Sequence, residues 1–554
     1  MQFNEAQIQA IQHNTGPCMV IAGPGSGKTT VLTHRVRYLI ERYGVNPSDI
    51  LVITFTKAAA EQMKLKFKGL SEGRNSAVTF GTFHAVFFTI LKAAYNYSAH
   101  CIIKPQIQHE FVKDQMCRLE LEYDDENEAV AGVLSEISCV KGEDVNIDEY
   151  ESRCIPPQSF RIMYRAYDDM LVRNRLIDFD DMIVQCRELL MQREDYRRAW
   201  QNKYKYILID EFQDINKAQF DVVRILADEY RNLFVVGDDD QSIYAFRGAR
   251  PDFLLHFPTL YPAAKKVTLN TNYRSTERIV NLAERVIGNN EVRFVKNMKG
   301  IGEAGDKVTF FLAEDAAKEA AHIAEKIGRL LDEGMPLTEI AVIYRTNLQG
   351  GAFARELYKR GIPYDLRDNS GNVYEHWVAK DLLAYLLLAE NGESDSALRR
   401  ILNKPKRYIG KDLLAEAETM PYTLLRSFFV CPSLKGWQEE NLENLRIDLN
   451  QIRKRTPYDA VKYIRKVIGY DEYLEEFAAY RRTSAQVLQE IADEIMETAK
   501  DCADVRSFRE QLERLSLQMK EQSRKKGQKR NGVALMTMHG AKGLEFRAVF
   551  LPSL

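Results

Sequence analysis

Short apolar runs recur along the first half of the chain, and each gives way abruptly to polar residues. Met19-Val20-Ile21 leads into a glycine-rich loop, and Leu51-Val52-Ile53 into Thr54-Phe55-Thr56. Ile207-Leu208-Ile209 leads into Asp210-Glu211, and Phe234-Val235-Val236 into Gly237-Asp238. Continuous apolar runs mark strands covered on both faces, the habit of parallel sheets in α/β proteins. Ligands of such sheets bind at the carboxyl ends of the strands, where these polar residues fall. A second set follows: Val267-Thr268-Leu269, Val308 to Leu312, Ile340 to Tyr344, Ala534-Leu535-Met536 and Val549-Phe550-Leu551, the last expected to be buried. The pattern predicts an α/β chain with two parallel sheets.

Each sheet is expected to be interrupted by a charged, helix-rich insertion, roughly His84 to Leu176 in the first and Asn372 to Gly532 in the second. Both carry helical spacing; Val487, Ile491, Ile495 and Ala499 fall on one face. A length of 554 residues agrees with about three to four domains. No internal repeat or low-complexity tract stands out.

With 77 basic and 79 acidic residues, the chain has no excess charge with which to coat a polyanion. A local groove with base stacking is still open to it. The run Arg524-Lys525-Lys526-Gly527-Gln528-Lys529-Arg530 reads equally as a solvated loop or a phosphate contact. The eight cysteines form neither a C-x-x-C pair nor a regular spacing with histidines, so they read as reduced cytosolic thiols. The N-terminus lacks an apolar signal core, and the longest apolar run, Leu382 to Ala389, is too short to span a bilayer. The expectation is a cytoplasmic protein with no membrane partner.

Ala22-Gly23-Pro24-Gly25-Ser26-Gly27-Lys28-Thr29 has the chemistry of a phosphate cradle. Glycines let backbone N–H groups approach phosphate, a lysine reaches the β/γ oxygens, and a hydroxyl can ligate Mg²⁺. Ala22 breaks the strict G-x-x-x-x-G-K-[ST] pattern at its first position. A strand before the loop, a helix expected over Thr30 to Tyr43 and a C-cap at Gly44 argue against a chance glycine turn. Asp210-Glu211, at the end of a buried strand, supplies a carboxylate for Mg²⁺ and a neighbour to activate water.

Beyond these two elements, Asp210-Glu211-Phe212-Gln213-Asp214, the stretch Val236 to Ala249, Asn272-Tyr273-Arg274-Ser275 and Thr537 to Phe546 resemble the signature blocks of superfamily 1 helicases of the UvrD/Rep/PcrA type. Order and separation match across nearly the whole chain. The Asp-Asp-Gln-Ser-Ile-Tyr and Ala-Lys-Gly-Leu-Glu-Phe blocks are together specific to that family.

The resemblance implies roles. Lys28, Glu211, Gln241 and Arg274 would be catalytic. ATP would be held by Gln7, Ala22, Gly23, Pro24, Gly25, Ser26, Gly27, Lys28, Thr29, Thr30, Tyr273, Arg274 and Glu545. Within that set Gln7 would read the adenine edge, Tyr273 stack on the ring, Arg274 grip the γ-phosphate and Glu545 bond the ribose. Thr29 and Asp210 would hold Mg²⁺. The strand of DNA would meet Phe55, Thr82, His84, Tyr244, Phe246, Arg247, Asn347 and His539, while Phe83 is open between packing and contact. Asp178-Phe179-Asp180-Asp181 reads as structural and coupling, because no lysine follows at the spacing of a nuclease site.

The implied architecture is two RecA-like P-loop domains, each with an inserted, mainly helical subdomain. Residues 1–84 and 178–265 would form domain 1A, 85–177 the inserted 1B, 266–371 and 532–554 a truncated 2A, and 372–531 the inserted 2B. The implied activity is ATP- and Mg²⁺-dependent 3′→5′ movement on single-stranded DNA and at single/double-strand junctions, in repair or replication restart.

There are departures from the family pattern. Thr30 stands where relatives carry arginine, Thr56-Lys57-Ala58-Ala59 is one residue short, and Phe246 replaces tryptophan. A final Ala-Met-Thr-Arg-Ala-like block is not found, and such arginines supply about 10³–10⁵ in turnover. The expectation is therefore that residues 1–554 bind ATP but hydrolyse it poorly, as a piece of a longer chain or with a protein partner supplying the missing elements. The rival reading is a non-processive ATP-binding switch in a repair or anti-phage complex.

Overall fold

Along β1 (Cys18–Ala22), Cys18, Val20 and Ala22 join one apolar cluster while Met19 and Ile21 join another. The same two-residue alternation divides β2 (Ile50–Thr54), β4 (Tyr206–Ile209) and β5 (Leu233–Gly237) between the two clusters. Side chains on a strand point to alternate faces, so a strand apolar at every position must be covered on both. The helices Lys28–Glu41 and Lys57–Leu70 cover one face through Val31, Leu32, Val36, Met63 and Phe67. The helices Phe83–Tyr95, Phe179–Gln192 and Lys217–Ala227 cover the other.

The computed structural model describes residues 2–553 except 72–76, 122, 124–125, 246–247, 368–371, 392–393, 482–483, 501 and 525–530. Phe246, Arg247 and the basic run from Lys525 to Arg530 therefore lie outside the described residues. Two compact units are present, residues 1–310 and 311–554. Among the described residues, no helix is long and apolar enough to cross a membrane.

In the first unit, β3 (Thr79–Thr82) and β6 (Lys265–Leu269) complete a parallel sheet in the order β3-β2-β4-β5-β1-β6. This corrects one expectation. Val267-Thr268-Leu269 belongs to the first sheet, paired with Val20-Ile21-Ala22, and the expected boundary between 265 and 266 cuts through β6. A two-stranded ladder of β7 (Thr271–Asn272) and β8 (Lys299–Gly300) follows.

The first insertion has its own core, from Ile103 to Leu171, built by the helices Pro105–Arg118, Glu126–Glu143 and Pro157–Arg173. The helix Phe83–Tyr95, expected to belong largely to that insertion, packs on the sheet instead, because Phe83, Val86, Phe87, Ile90 and Leu91 form a stripe facing Met182, Ile183 and Cys186. Phe83 is thereby a packing residue.

Asp178 caps the helix Phe179–Gln192 in a reciprocal capping box with Asp181. Buried Lys141, from the insertion, lies 3.0 Å from Asp178, 2.7 Å from Asp181 and 3.1 Å from Asp168. Three carboxylates around one ammonium tie the insertion to the sheet, which is a joining role for this acidic block.

In the second unit, β9 (Ile340–Tyr344), β10 (Tyr364–Leu366), β11 (Val533–Thr537) and β12 (Ala548–Phe550) form a parallel sheet in the order β10-β11-β9-β12. The helices Ala316–Asp332 and Gly350–Lys359 cover one face. Two expectations are corrected. Val308 to Leu312 forms no strand, and Phe310 and Leu312 are 79% and 95% exposed. Val549 and Leu551 are about half exposed, Val549 on β12, which is an edge strand paired with β9 among the described residues, and Leu551 just past it. Residues from Val373 to Leu512 form a separate helical core around the helix Trp377–Asn391.

Candidate functional site

The loop after β1 turns at Gly25 and Gly27, whose φ values of 66° and 85° are left-handed. At Gly25 the need for glycine is also steric, since a Cβ would lie 2.5 Å from Asn272 Oδ1. Gly27 precedes the helix Lys28–Glu41 and offers no side-chain cap, so the first helical N–H groups point out of the loop without one. That is the local structure of an anion site. The buried Ser26 ties the loop back on itself, its hydroxyl donating to the Gly23 carbonyl at 2.7 Å. The Tyr273 N–H donates to the Gly25 carbonyl at 2.9 Å, bringing the segment after β7 against the loop.

Among the described residues, the Lys28 ammonium is buried without a hydrogen-bond partner and pairs with Glu211 Oε1 at 3.5 Å. Asp210 is buried at the end of β4, and burial pushes its carboxyl up to about 7, with Glu211 adding to the effect. A buried ammonium without a hydrogen bond, and a buried carboxyl with a second carboxylate beside it, are each costly as they stand. Phosphate oxygens on Lys28 and a divalent cation on Asp210 and the Thr29 hydroxyl would relieve both, so the residues present fit Mg²⁺-nucleotide.

Glu211 sits at φ 52°, unusual for a side-chain-bearing residue and of the kind held at functional sites. Gln213 secures it. The fully buried carboxamide donates to Glu211 Oε2 at 2.7 Å and accepts from the Asp238 N–H at 3.0 Å, joining the ends of β4 and β5. Asp238 in turn accepts from the Gln241 amide at 2.6 Å. Glu211, Gln241 and Lys28 are thus linked through two intermediaries that sequence reasoning left without a role. For Gln213 the available signal was a carboxamide two residues past the carboxylate pair.

Asn272 Oδ1 accepts from the N–H groups of Arg274 and Ser275 at 2.8 and 2.9 Å, which places Arg274 beside Gly25. Tyr273 is 45% exposed, and its hydroxyl accepts from Asn4. Gln7 is buried against the loop, with its amide donating to the Ser26 carbonyl at 3.1 Å and accepting from the Asn4 N–H. An adenine edge would have to exchange with those bonds. Thr30 lies in the first turn of the helix Lys28–Glu41.

Of the residues expected along the strand of DNA, Phe55 follows β2 and stacks on Tyr244, with ring centroids 5.6 Å apart and planes 14° from parallel. Thr82 ends the neighbouring β3 and caps the next helix through the Ala85 N–H. His84 packs edge-on to Phe179, and burial lowers its pKa. In the second unit, Asn347 follows β9 and His539 follows β11; these strands pair Tyr344 with Thr537, so both residues sit at one end of that sheet. Glu545 is exposed in the turn before β12.

Comparison with known proteins agrees with this geometry. Residues 3–262 match the UvrD/REP helicase N-terminal domain, and residues 267–554 match the UvrD-like helicase C-terminal domain. The chain is 32% identical over 575 residues to the ATP-dependent DNA helicase PcrA of Staphylococcus epidermidis, covering 99% of this chain and 77% of that protein. It is 31% identical over 568 residues to the putative ATP-dependent DNA helicase YjcD of Bacillus subtilis, covering 99% and 72%. The Staphylococcus aureus PcrA gives 31% over 572 residues, covering 99% and 77%.

Proposed function

The chain belongs to the UvrD/REP helicase family, and from that premise we propose that it hydrolyses ATP with Mg²⁺ to move 3′→5′ along single-stranded DNA and part the duplex ahead. The observation that carries this reading is the unbonded Lys28 ammonium at the mouth of a glycine cradle, held 3.5 Å from Glu211. Gly25 and Gly27 open the backbone to the phosphates, Lys28 exchanges Glu211 for β/γ oxygens, and Thr29 with Asp210 would hold Mg²⁺. Held by those two residues, Mg²⁺ would supply charge neutralisation at the phosphate oxygens. Glu211, released from Lys28 and still held by Gln213, takes a proton from the attacking water. Gln241 and Arg274 act on the γ-phosphate side, and Tyr273 offers an exposed ring for adenine.

Phe55 and Tyr244 form the base-stacking platform on this reading; Phe55 follows β2, and Tyr244 lies a few residues past Gln241 in the segment after β5. A platform that accepts any base suits a motor working on arbitrary sequence, as DNA repair or replication restart requires. In the second unit, Asn347 and His539, at one end of its sheet, would contact the strand backbone.

Phe55→Ala tests the platform. Stacking gives about 1–3 kcal/mol per base, so affinity for mixed-sequence single strands should fall about tenfold in a fluorescence-anisotropy titration. Affinity for an ATP analogue without DNA should stay unchanged. A loss of nucleotide affinity with strand affinity intact would remove Phe55 from the track.

A further inference from the structure

The turn that carries Gln241 is acidic at each of its preceding positions, and residues far along the chain hold it together. Asp238, Asp239 and Asp240 follow β5 consecutively, with side chains 0%, 2% and 11% exposed. The buried Lys296 ammonium meets one oxygen of each, at 3.0, 2.7 and 2.6 Å; the Asp239 contact is an ion pair without hydrogen-bond alignment. Arg293 forks onto Asp240 with bonds of 2.8 and 2.7 Å, and the Phe294 N–H donates to Asp239 at 2.7 Å.

Burial pushes the Asp238 carboxyl up against the pull of Lys28 and Lys296. Burial also acts upward on Asp240, but the hydrogen bonds from Arg293 and Lys296 bring it below the ordinary carboxylate range. Three adjacent buried carboxylates repel one another strongly without a counter-charge. Asp238 spends its other oxygen on the Gln241 amide, and its N–H is held by the Gln213 that fixes Glu211. The same segment continues past the second phosphate-side residue. The Lys299 N–H donates to the Asn270 carbonyl at 2.8 Å and the Ile301 N–H to the Asn272 carbonyl at 3.1 Å, and Asn272 holds the backbone of Arg274.

We propose that Lys296, which shares Asp240 with Arg293, is a positioning residue for ATP hydrolysis: it balances the Asp238–Asp240 turn so that Gln241 and Glu211 keep a common geometry. The inference rests on the hydrolysis site proposed above. Lys296 itself touches neither nucleotide nor DNA; its effect passes through Asp238 to Gln241 and Gln213.

The test is carried out on the full chain with single-stranded DNA as activator. Lys296→Met keeps the length of the side chain and removes its charge, and should lower kcat for ATP about ten- to a hundredfold, the scale of a small misplacement of reacting groups. KM for ATP and the dissociation constant of a fluorescent ATP analogue should stay within about twofold. Adding Asp239→Asn removes one of the opposed negative charges and should return most of the lost turnover, a rescue that lost packing alone would not produce.

Unchanged turnover in Lys296→Met overturns the proposal. So does a parallel loss of nucleotide affinity and turnover in both variants, which would make Lys296 a folding residue only. Glu211→Gln run alongside separates the two claims: if it too leaves turnover unchanged, the hydrolysis site itself is misassigned.

Discussion

Lys28→Ala is expected to abolish DNA-stimulated ATP hydrolysis, with steady-state turnover falling at least about a hundredfold, as when a preorganised electrostatic donor is removed. The basis is the state of the ammonium, buried at the helix start, unbonded, and paired only loosely with Glu211. Nothing else in the loop can place a cation there, because residues 22 to 27 carry only small neutral side chains. The fold should survive, since Val31, Leu32 and Val36 of the same helix remain in the core. Circular dichroism and thermal melting would confirm that, and nucleotide binding should weaken as well. Unchanged turnover would remove the cradle from the chemistry.

Glu211→Gln should separate binding from hydrolysis. The substitution keeps size and hydrogen-bonding capacity but removes the base, and general-base catalysis contributes about 10²–10⁴ in rate. Turnover should drop by that order, while affinity for ATP is retained or rises, because the carboxylate that competes with phosphate for Lys28 is gone. Rapid-quench measurement should find bound ATP uncleaved. If the variant binds no ATP analogue, Glu211 serves the metal or the fold, and the water must be activated elsewhere.

β1, β2, β4, β5, β9 and β11 were legible because their burial is nearly complete: a run apolar at almost every position has few alternatives to a covered parallel strand. β3 and β10, partly exposed throughout, left no such run. Neighbour relations were not legible. Val267-Thr268-Leu269 resembles the strands of either sheet, and only its register against Val20-Ile21-Ala22 assigns it to the first. Likewise the helix Phe83–Tyr95 differs from insertion helices only in what its stripe meets, namely Met182 and Cys186 of a helix nearly a hundred residues later.

At the site, residues whose chemistry is local were readable. Glycines in a tight loop, a lysine at a helix start and carboxylates at a strand end carry their reason in their spacing. Residues acting through tertiary contact were not. Arg293 and Lys296 look like ordinary surface cations until Asp238, Asp239 and Asp240 close around them. The resemblance pointed to Gln7, but its bonds to Ser26 and Asn4 could not be read from the sequence.

Directional unwinding tests the central claim most directly. Partial duplexes bearing a 3′ or a 5′ single-stranded tail would be mixed with the chain, Mg²⁺ and ATP, and strand release followed by fluorescence. Whatever the absolute rate that residues 1–554 sustain, ATP-dependent release from the 3′-tailed substrate should be at least about tenfold faster than from the 5′-tailed one, a difference of some 1.4 kcal/mol in barrier. Release should be lost in Lys28→Ala. Equal release from both substrates, or release that continues without ATP, would contradict that claim.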